Sequence, residues 1–264
     1  MRIGIYGLGL MGGSLALALA ARRPDLPLSG HDPDAATMER ARDLGIVDGS
    51  DPRTADVVFL AAPILSLRGI LAGLVGAPGI VTDLASTKVE VLRWAEEAGV
   101  DLVGGHPMCG SERSGLEAAR ADLFEGAPWA LMRDEPVVTE LVRSVGARPM
   151  LLDAERHDRL VAGISHAAFA VSAAYLLAMS GDDDWEAMAA LAGPGFRDMT
   201  RLAAGDPRFY AAVAATNRSA LLDRLVRVEG SLARLRSLVE DGDGELEALF
   251  AEAKRVRDAW AREA

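Results

Sequence analysis

An α/β domain followed by an all-helical one is the fold class this chain predicts, and three observations predict it. Short apolar runs alternate with helical stretches through residues 1–153, the pattern of a mostly parallel sheet with helices on both faces. The first run turns through Gly7-Leu8-Gly9-Leu10-Met11-Gly12 into a helix, and the next run ends in an acid, Asp32. After Asp153 the strand-like runs thin out, and alanine and leucine at three-to-four spacing continue to the end. The expected division is residues 1–153 and 154–264.

The first strand covers 3–6, and the helix after the glycine turn covers 14–22. Gly7 permits the tight turn, Gly9 lets a pyrophosphate approach the backbone, and Gly12 permits close helix–strand packing. The helix N-terminus, with Leu10 and Met11, offers free N–H groups and a positive dipole end to the phosphates. A second strand over 26–31 ends in Asp32, placed to accept hydrogen bonds from the adenosine ribose and to repel a 2′-phosphate. A glycine fingerprint by itself is weak; strand, helix and terminal acid together point to a Rossmann-type domain that binds NAD in preference to NADP.

The elements that follow keep the alternation. A helix over 34–44 starts near Asp34 and stops at Gly45, and a buried strand over 56–60 ends in Ala61-Ala62-Pro63. Small residues there let a nicotinamide or its ribose lie against the strand, which adds Ala62 and Pro63 to the cofactor contacts. A helix over 65–75, a strand over 79–83, a helix over 88–98 and a strand over 101–105 come next. Strands over 128–132 and 148–152 flank a helix over 136–145. The second half reads as helices over 154–179, 185–191, 196–203, 207–239 and 244–263. Its two Asp-rich turns lack the ligand spacing of a calcium loop, and no metal is expected.

Of the 264 residues half are hydrophobic and a quarter charged, as in ordinary globular proteins, and the net charge is −11. That charge, without a Lys/Arg-rich tract, argues against nucleic acid as a partner. A single cysteine, Cys109, excludes an internal disulfide and suits a reducing cytoplasm. Arg2 and the following apolar residues resemble a signal peptide, but the glycine turn within them favours a mature domain. The best membrane candidate, 57–75, is broken by Pro63 and Arg68, so no membrane span is expected. Leu221, Leu222, Leu225, Val228, Leu232, Leu235 and Leu238 form a stripe on one helix that serves a core or, almost equally, a homodimer interface.

In an open parallel sheet, ligands bind beyond the carboxyl ends of the strands. Those ends bring Ser86, Lys88, His106, Ser111 and Glu112 to the nicotinamide side. His106 is the natural acid/base group, because imidazole titrates near neutrality; a lone histidine is more often structural, but a strand-end place between Gly-Gly and Pro favours function. Cys109 has no evident base partner and reads as packing. The helical half adds His157-Asp158, Ser165-His166 and a pair of arginines, Arg197 and Arg201, four apart on one helix face. An arginine there clamps a carboxylate or pairs on the surface with Asp198 or Asp206; spacing leaves both open.

These residues together resemble the prephenate/arogenate dehydrogenase family, over essentially the whole chain. The likeness rests on Gly7 to Ser14, on Asp83…Ser86-Thr87-Lys88 and on Gly105-His106-Pro107-Met108…Gly110-Ser111-Glu112-Arg113-Ser114-Gly115. It continues through His157-Asp158, Ser165-His166, Gly195 to Arg201, Asp206-Pro207 and Asn217. It implies a helical dimerisation domain, NAD as cofactor, and oxidative decarboxylation of prephenate or arogenate. It also implies that His106 is the catalytic histidine on the substrate C4 hydroxyl, that Ser86 orients that hydroxyl and the nicotinamide, and that Arg201 binds the ring carboxylate. Glu112 falls at the family's pocket-gating acid, and Ser111, His166 and Tyr210 at substrate-lining positions. No mutase or regulatory domain is expected beside the two halves, so any feedback by tyrosine would act at the active site.

Three departures all fall at the side-chain end of the substrate. Phe169 stands where many prephenate-using members carry a second histidine, Ala167-Ala168 where Leu-Pro is usual, and Tyr210 where tryptophan is common. They leave prephenate and arogenate both open. A 3-hydroxyacid-type dehydrogenase would need a lysine on the first long helix of the second half, and 157–179 has none. A dinucleotide-binding module without chemistry would not need Ser86, His106 and Arg201 together.

Overall fold

Strands β1 (Ile3–Tyr6), β2 (Leu28–His31), β3 (Val57–Leu60), β4 (Ile80–Asp83) and β5 (Leu102–Val103) pair in parallel in the order β2-β1-β3-β4-β5. Tyr6 lies opposite Leu60, and Leu60 opposite Asp83, so three neighbouring strands end level with one another. The site forms along that edge. The computed structural model describes residues 1–110, 113–242 and 244–263.

Both faces of this sheet are covered, as the unbroken apolar run Val57-Val58-Phe59-Leu60 requires. Side chains alternate along a strand, so Val57 and Phe59 join one core and Val58 and Leu60 the other. The first core takes Leu15 and Leu19 of α1 (Leu10–Arg22) and Ala41 of α2 (Ala35–Asp43). The second takes Leu67 and Leu71 of α3 (Leu67–Gly73) and Val91 and Trp94 of α4 (Val89–Ala98). Burying one side chain of this size contributes roughly 1.5–3 kcal/mol. The Asp34 carboxylate caps α2 by accepting from Thr37 N at 3.0 Å.

The single strand suggested over 101–105 is two strands in two sheets. After β5 the chain leaves the parallel sheet, and β6 (Gly105–Pro107) pairs antiparallel with β7 (Pro128–Leu131), which pairs parallel with β8 (Arg148–Leu151). The last two strands therefore form no extension of the parallel sheet; α5 (Pro136–Ser144) connects them. The switch turns on Gly105, whose N donates to Asp83 Oδ1 at 3.0 Å; a Cβ there would lie 2.5 Å from the Asp83 carbonyl oxygen. Only glycine allows that approach.

The helical half departs from the expected boundaries in three places. The helix read over 154–179 is α6 (Ala154–Val161), a π-helical turn (Ala162–His166) and α7 (Ala167–Ser180). After α8 (Trp185–Leu191), the helix read over 196–203 is α9 (Pro194–Thr200) and a tighter turn (Arg201–Ala204). The helix read over 207–239 breaks at Asn217 into α10 (Pro207–Thr216) and α11 (Arg218–Asp241); α12 (Glu245–Glu263) ends the chain. Asn217 leaves helical geometry (φ −127°, ψ 37°) because its side chain is drawn to the Asp158 carbonyl, to which Nδ2 donates at 2.8 Å. Helix propensity is a weak prior that such tertiary bonds override.

The 27-residue helical stretch Ala154–Ser180 is long and apolar enough to cross a membrane by length and composition, which corrects the expectation that no stretch is. Its apolarity includes solvent-facing residues, with Ile164 72% and Leu177 70% exposed. The chain forms two compact units, Met1–Leu221 and Leu222–Ala264. The second holds the rest of α11 and α12, which meet near Gly242 at φ +65°, and leaves Val226, Phe250 and Trp260 exposed.

Candidate active site

The glycine turn is shaped by what surrounds it. Gly7 has φ +90°, and a Cβ on it would lie 2.7 Å from Ala62 N; one on Gly12 would lie 1.8 Å from the Gly7 carbonyl oxygen. Gly9 differs: a Cβ there meets nothing within 4 Å. Gly9 is also the N-cap of α1, without a side-chain cap and with no acid in the first turn, so N–H groups beside Leu10 and Met11 face an open cradle. The Asp32 carboxylate is anchored at the cradle's rim, Oδ2 accepting from Leu8 N at 2.8 Å and Oδ1 from Asp34 N at 3.0 Å. A polar cleft beside it is lined by Gly30, His31, Asp32, Met38, Arg42 and Ser50 among others. Half-buried Ala62 and exposed Pro63 follow β3 on the same edge. An open, uncapped helix end with a carboxylate at the next strand fits a dinucleotide with a free 2′-hydroxyl.

Lys88 does not face this cleft. Lys88 and Asp83 are both wholly buried and ion-paired, and Lys88 Nζ also donates to the Gly105 carbonyl at 2.6 Å. Asp83 accepts in addition from Ala85 N at 2.9 Å. Burial lowers the Lys88 pKa, and the Asp83 carboxylate opposes that shift. The lysine is thus a strut between β4 and β6, against the expectation that placed it in the cleft. The loop carrying half-buried Ser86 is tied down by Thr87, whose Oγ1 donates to Thr216 Oγ1 at 2.9 Å.

His106, on β6, is 8% exposed, and its Nδ1 lies 2.9 Å from His157 Nε2. His157 Nδ1 in turn lies 2.8 Å from Asp158 Oδ1. The Asp158 carboxylate also closes the N-terminus of α4, Oδ1 accepting from Lys88 N at 2.8 Å and Oδ2 from Val89 N at 3.0 Å. Burial holds the His106 pKa well below its ordinary value, aided by repulsion from His157, Lys88 and His166. At neutral pH this ring is uncharged and able to accept a proton. His157 and Asp158 read in sequence as an unassigned polar pair; the partner of His157 lies 51 positions away, beyond the reach of any spacing rule.

Asn217 links this chain of rings to a second one. Its Nδ2 lies 3.2 Å from His166 Nδ1, so that nitrogen accepts and the His166 proton sits on Nε2. Burial pulls the His166 pKa down to about 4. His166 lines an apolar cavity of about 290 Å³ with Phe169, Ala170, Pro207 and Tyr210 among others. The Phe169 and Tyr210 rings stack with centroids 3.4 Å apart and planes 7° from parallel. The nearby Arg201 charge opposes the burial that raises the Tyr210 pKa. Arg201 and Arg197 are exposed, and among the described residues neither is ion-paired; Asp206 pairs with Arg208 instead, at 3.6 Å. The surface-pair reading of the two arginines therefore has no support, and a carboxylate-clamping role is open to Arg201. Ser111 and Glu112 lie outside the described residues. Cys109 is half-buried, with its thiol pushed up to about 11, and is no nucleophile at neutral pH.

Comparison with known proteins gives one answer. Two family models match, "Prephenate dehydrogenase, nucleotide-binding domain" over residues 15–150 and "Prephenate dehydrogenase, dimerization domain" over residues 153–254. Prephenate dehydrogenase of Lactococcus lactis is 32% identical over 275 residues, covering 98% of this chain and 77% of the relative. Among solved structures, arogenate dehydrogenase of Synechocystis superposes with a TM-score of 0.85 at 32% identity, covering 98% of this chain and 100% of that one. Prephenate dehydrogenase of A. aeolicus, in complex with hydroxyphenyl propionate and NAD+, superposes with a TM-score of 0.90 at 28% identity, covering 98% of each chain.

Proposed function

The chain belongs to the prephenate dehydrogenase family, and we propose that it catalyses the NAD-dependent oxidative decarboxylation of prephenate in tyrosine biosynthesis, with His106 as its base. One observation carries the assignment of the base: a buried imidazole, held neutral, sits on β6, which Lys88 and Gly105 tie to the end of β4 in the parallel sheet that also carries the dinucleotide cradle. Gly7, Gly9, Leu10, Met11 and Gly12 hold the pyrophosphate of NAD, Asp32 its ribose, and Ala62, Pro63 and Ser86 its nicotinamide half. Bound there, the nicotinamide ring accepts a hydride.

The chain's own groups supply orientation and a proton site. His106 takes the C4 hydroxyl proton as the C4–H electron pair leaves as hydride and the O–H pair becomes the C4–O π bond. The ring carboxylate departs as CO₂, and its C–C bond pair enters the ring, which becomes aromatic. The proton on His106 then returns to the phenolate oxygen, so no net proton is released. Ser86 orients the hydroxyl, and Arg201 anchors a substrate carboxylate. His166 and Tyr210 line the substrate side, and we assign Ser111 and Glu112 to substrate binding from the sequence alone.

Arogenate, with an amino group where prephenate has a keto group, is the second reading, and the Phe169–Tyr210 stack favours it. In place of a second imidazole, aromatic side chains line the cavity beside His166, and an aromatic ring attracts an ammonium group. We further assign residues 1–153 to cofactor binding and 154–264 to substrate binding and homodimer formation, in a cytoplasmic enzyme. The test is reduction of NAD⁺ and NADP⁺ by prephenate and by arogenate, for the wild type and for His106→Ala. Turnover with NAD⁺ that falls by orders of magnitude in the variant, while NAD⁺ affinity holds, is the expected result. Undiminished turnover in His106→Ala removes the histidine from the chemistry, and silence of the wild type with both substrates removes the activity.

A further inference from the structure

We propose that His157 and Asp158 are positioning residues that place the ring proton of His106 on Nδ1 and so leave Nε2 bare as the base. The inference rests on the reading of His106 as that base, and it deepens it.

The hydrogen positions follow from the partners. Both oxygens of Asp158 receive backbone N–H bonds, from Lys88 and Val89, so the carboxylate is an acceptor toward His157 as well. His157 Nδ1 must then carry the proton in its 2.8 Å bond to Oδ1. A neutral imidazole with its proton on Nδ1 has only an acceptor at Nε2. That atom faces His106 Nδ1 at 2.9 Å, which makes His106 Nδ1 the donor. Each ring is fixed by the bond its far nitrogen makes, the means by which proteins set histidine tautomers generally. His157 is 1% exposed and Asp158 4%, so no water competes for these bonds. Asn217 Nδ2 holds the Asp158 carbonyl at 2.8 Å, and the Asp158 side chain is fixed by α4, so the end of the relay is anchored on two sides.

The same arrangement gives a proton somewhere to go. When Nε2 of His106 takes the hydroxyl proton, its Nδ1 proton can pass to His157 Nε2. His106 is then neutral again, and the positive charge rests on His157, against the Asp158 carboxylate. Reversal of both transfers returns the proton to the phenolate. A positive charge shifted toward a buried carboxylate is stabilised more than one left on a buried ring alone.

The test is Asp158→Asn together with His157→Asn, read by turnover and by ¹⁵N NMR of the imidazole rings; with four histidines in the chain, single variants assign the signals. In Asp158→Asn the NH₂ that donates to His157 takes the place of Oδ1 and gives up the bond from Lys88 N, while the amide oxygen keeps the one from Val89 N; that donation reverses both tautomers. We expect His106 protonated on Nδ1 in the wild type and on Nε2 in Asp158→Asn. The kcat of this variant should fall about 100-fold or more, the size of effect that a wrong histidine tautomer produces elsewhere, with KM and NAD⁺ affinity within a few-fold. His157→Asn leaves the Asp158 cap on α4 intact and should also lower kcat without raising KM, so the proposal stays testable if Asp158→Asn does not fold. A wild-type His106 carrying its proton on Nε2, or both variants turning over at the wild-type rate, overturns the relay. If that happens while His106→Ala is inactive, only the relay is lost; if His106→Ala is active, the base assignment fails first.

Discussion

Lys88 and Asp83 form an ion pair with no exposure to solvent on either side chain, and the pair joins the parallel sheet to the second one. Through it the strand end that leads to Ser86 and the strand that carries His106 are held together, with Lys88 Nζ on the Gly105 carbonyl and Gly105 N on Asp83. Lys88→Met removes one partner and strands the other. Breaking a buried pair in this way costs about 3–5 kcal/mol. Urea unfolding should show a loss of that size, accompanied by reduced turnover because β6 loses its anchor. A variant as stable as the wild type would show that the pair contributes nothing net.

How much of this could be read in the sequence depends on how local the information is. The glycine turn and Asp32 were legible because their spacing is short and each residue answers a local need: a positive φ at Gly7, an open approach at Gly9, a tight contact at Gly12. His106 stood out as a candidate base by its residue type and neighbours, but its place did not: it lies in the middle of β6 in the second sheet, not at the end of a strand of the first. The family followed from the order of motifs. Lys88 was not legible, since its exposure depends on where the chain leaves the first sheet, and that switch is set by contacts between Gly105 and Asp83. The helix break at Asn217 and the meeting of His106 with His157 are likewise tertiary, made by bonds between residues about 50 or more positions apart. Periodicity reads Asn217 as one more helical residue; the Asp158 carbonyl makes it a boundary.

The acid side of the pH profile should lie low. His106 acts as a base only when unprotonated, and burial, with His157, Lys88 and His166 around it, holds its pKa well below the ordinary 6.5. kcat/KM should therefore stay level as pH falls through neutrality and drop only below 6.5. The check is initial rates across the range from about pH 8 to about pH 5. An inflection above 6.5 would mean that substrate or cofactor raises the pKa of the ring, or that another group is the base.

Stability should fall over the same acidic interval. The His166 pKa is about 4 in the folded chain against an ordinary 6.5, so the unfolded state binds its proton first as pH is lowered. The stability present above pH 6.5 is lost progressively as pH drops toward 4, by about 3 kcal/mol for this one group. Because glutamine does not titrate, His166→Gln should be less destabilised than the wild type between neutral pH and about pH 4.5, by thermal unfolding. Parallel losses in the two proteins would place the acid sensitivity elsewhere.

Arg201 is exposed and, among the described residues, has no acidic partner. A guanidinium without an internal partner is available to a substrate carboxylate, and a charge-assisted bond of that kind contributes about 1.5–3 kcal/mol. Arg201→Ala should raise KM for prephenate roughly 10- to 100-fold and leave kcat and NAD⁺ affinity nearly unchanged. Steady-state kinetics decide it. A variant that loses kcat at constant KM would place the arginine at the transition state and not at substrate binding.

The apolar side chains left open on the helical half call for a cover. Leu191 is 86% exposed, Leu177 70%, Val226 64% and Trp260 62%, too many large apolar residues for a surface that meets only water. A second copy of the chain is the cover we assign, consistent with the match of residues 153–254 to a dimerisation domain. A two-fold interface presents each exposed residue twice, so one substitution places two like charges in it. Leu177→Glu or Val226→Glu should shift the mass measured by light scattering from two chains toward one. Arg236→Glu, which alters an already charged and exposed position, should leave the mass alone. A wild type that scatters as a single chain at micromolar concentration would refute the assignment and leave the exposed stripe to another partner.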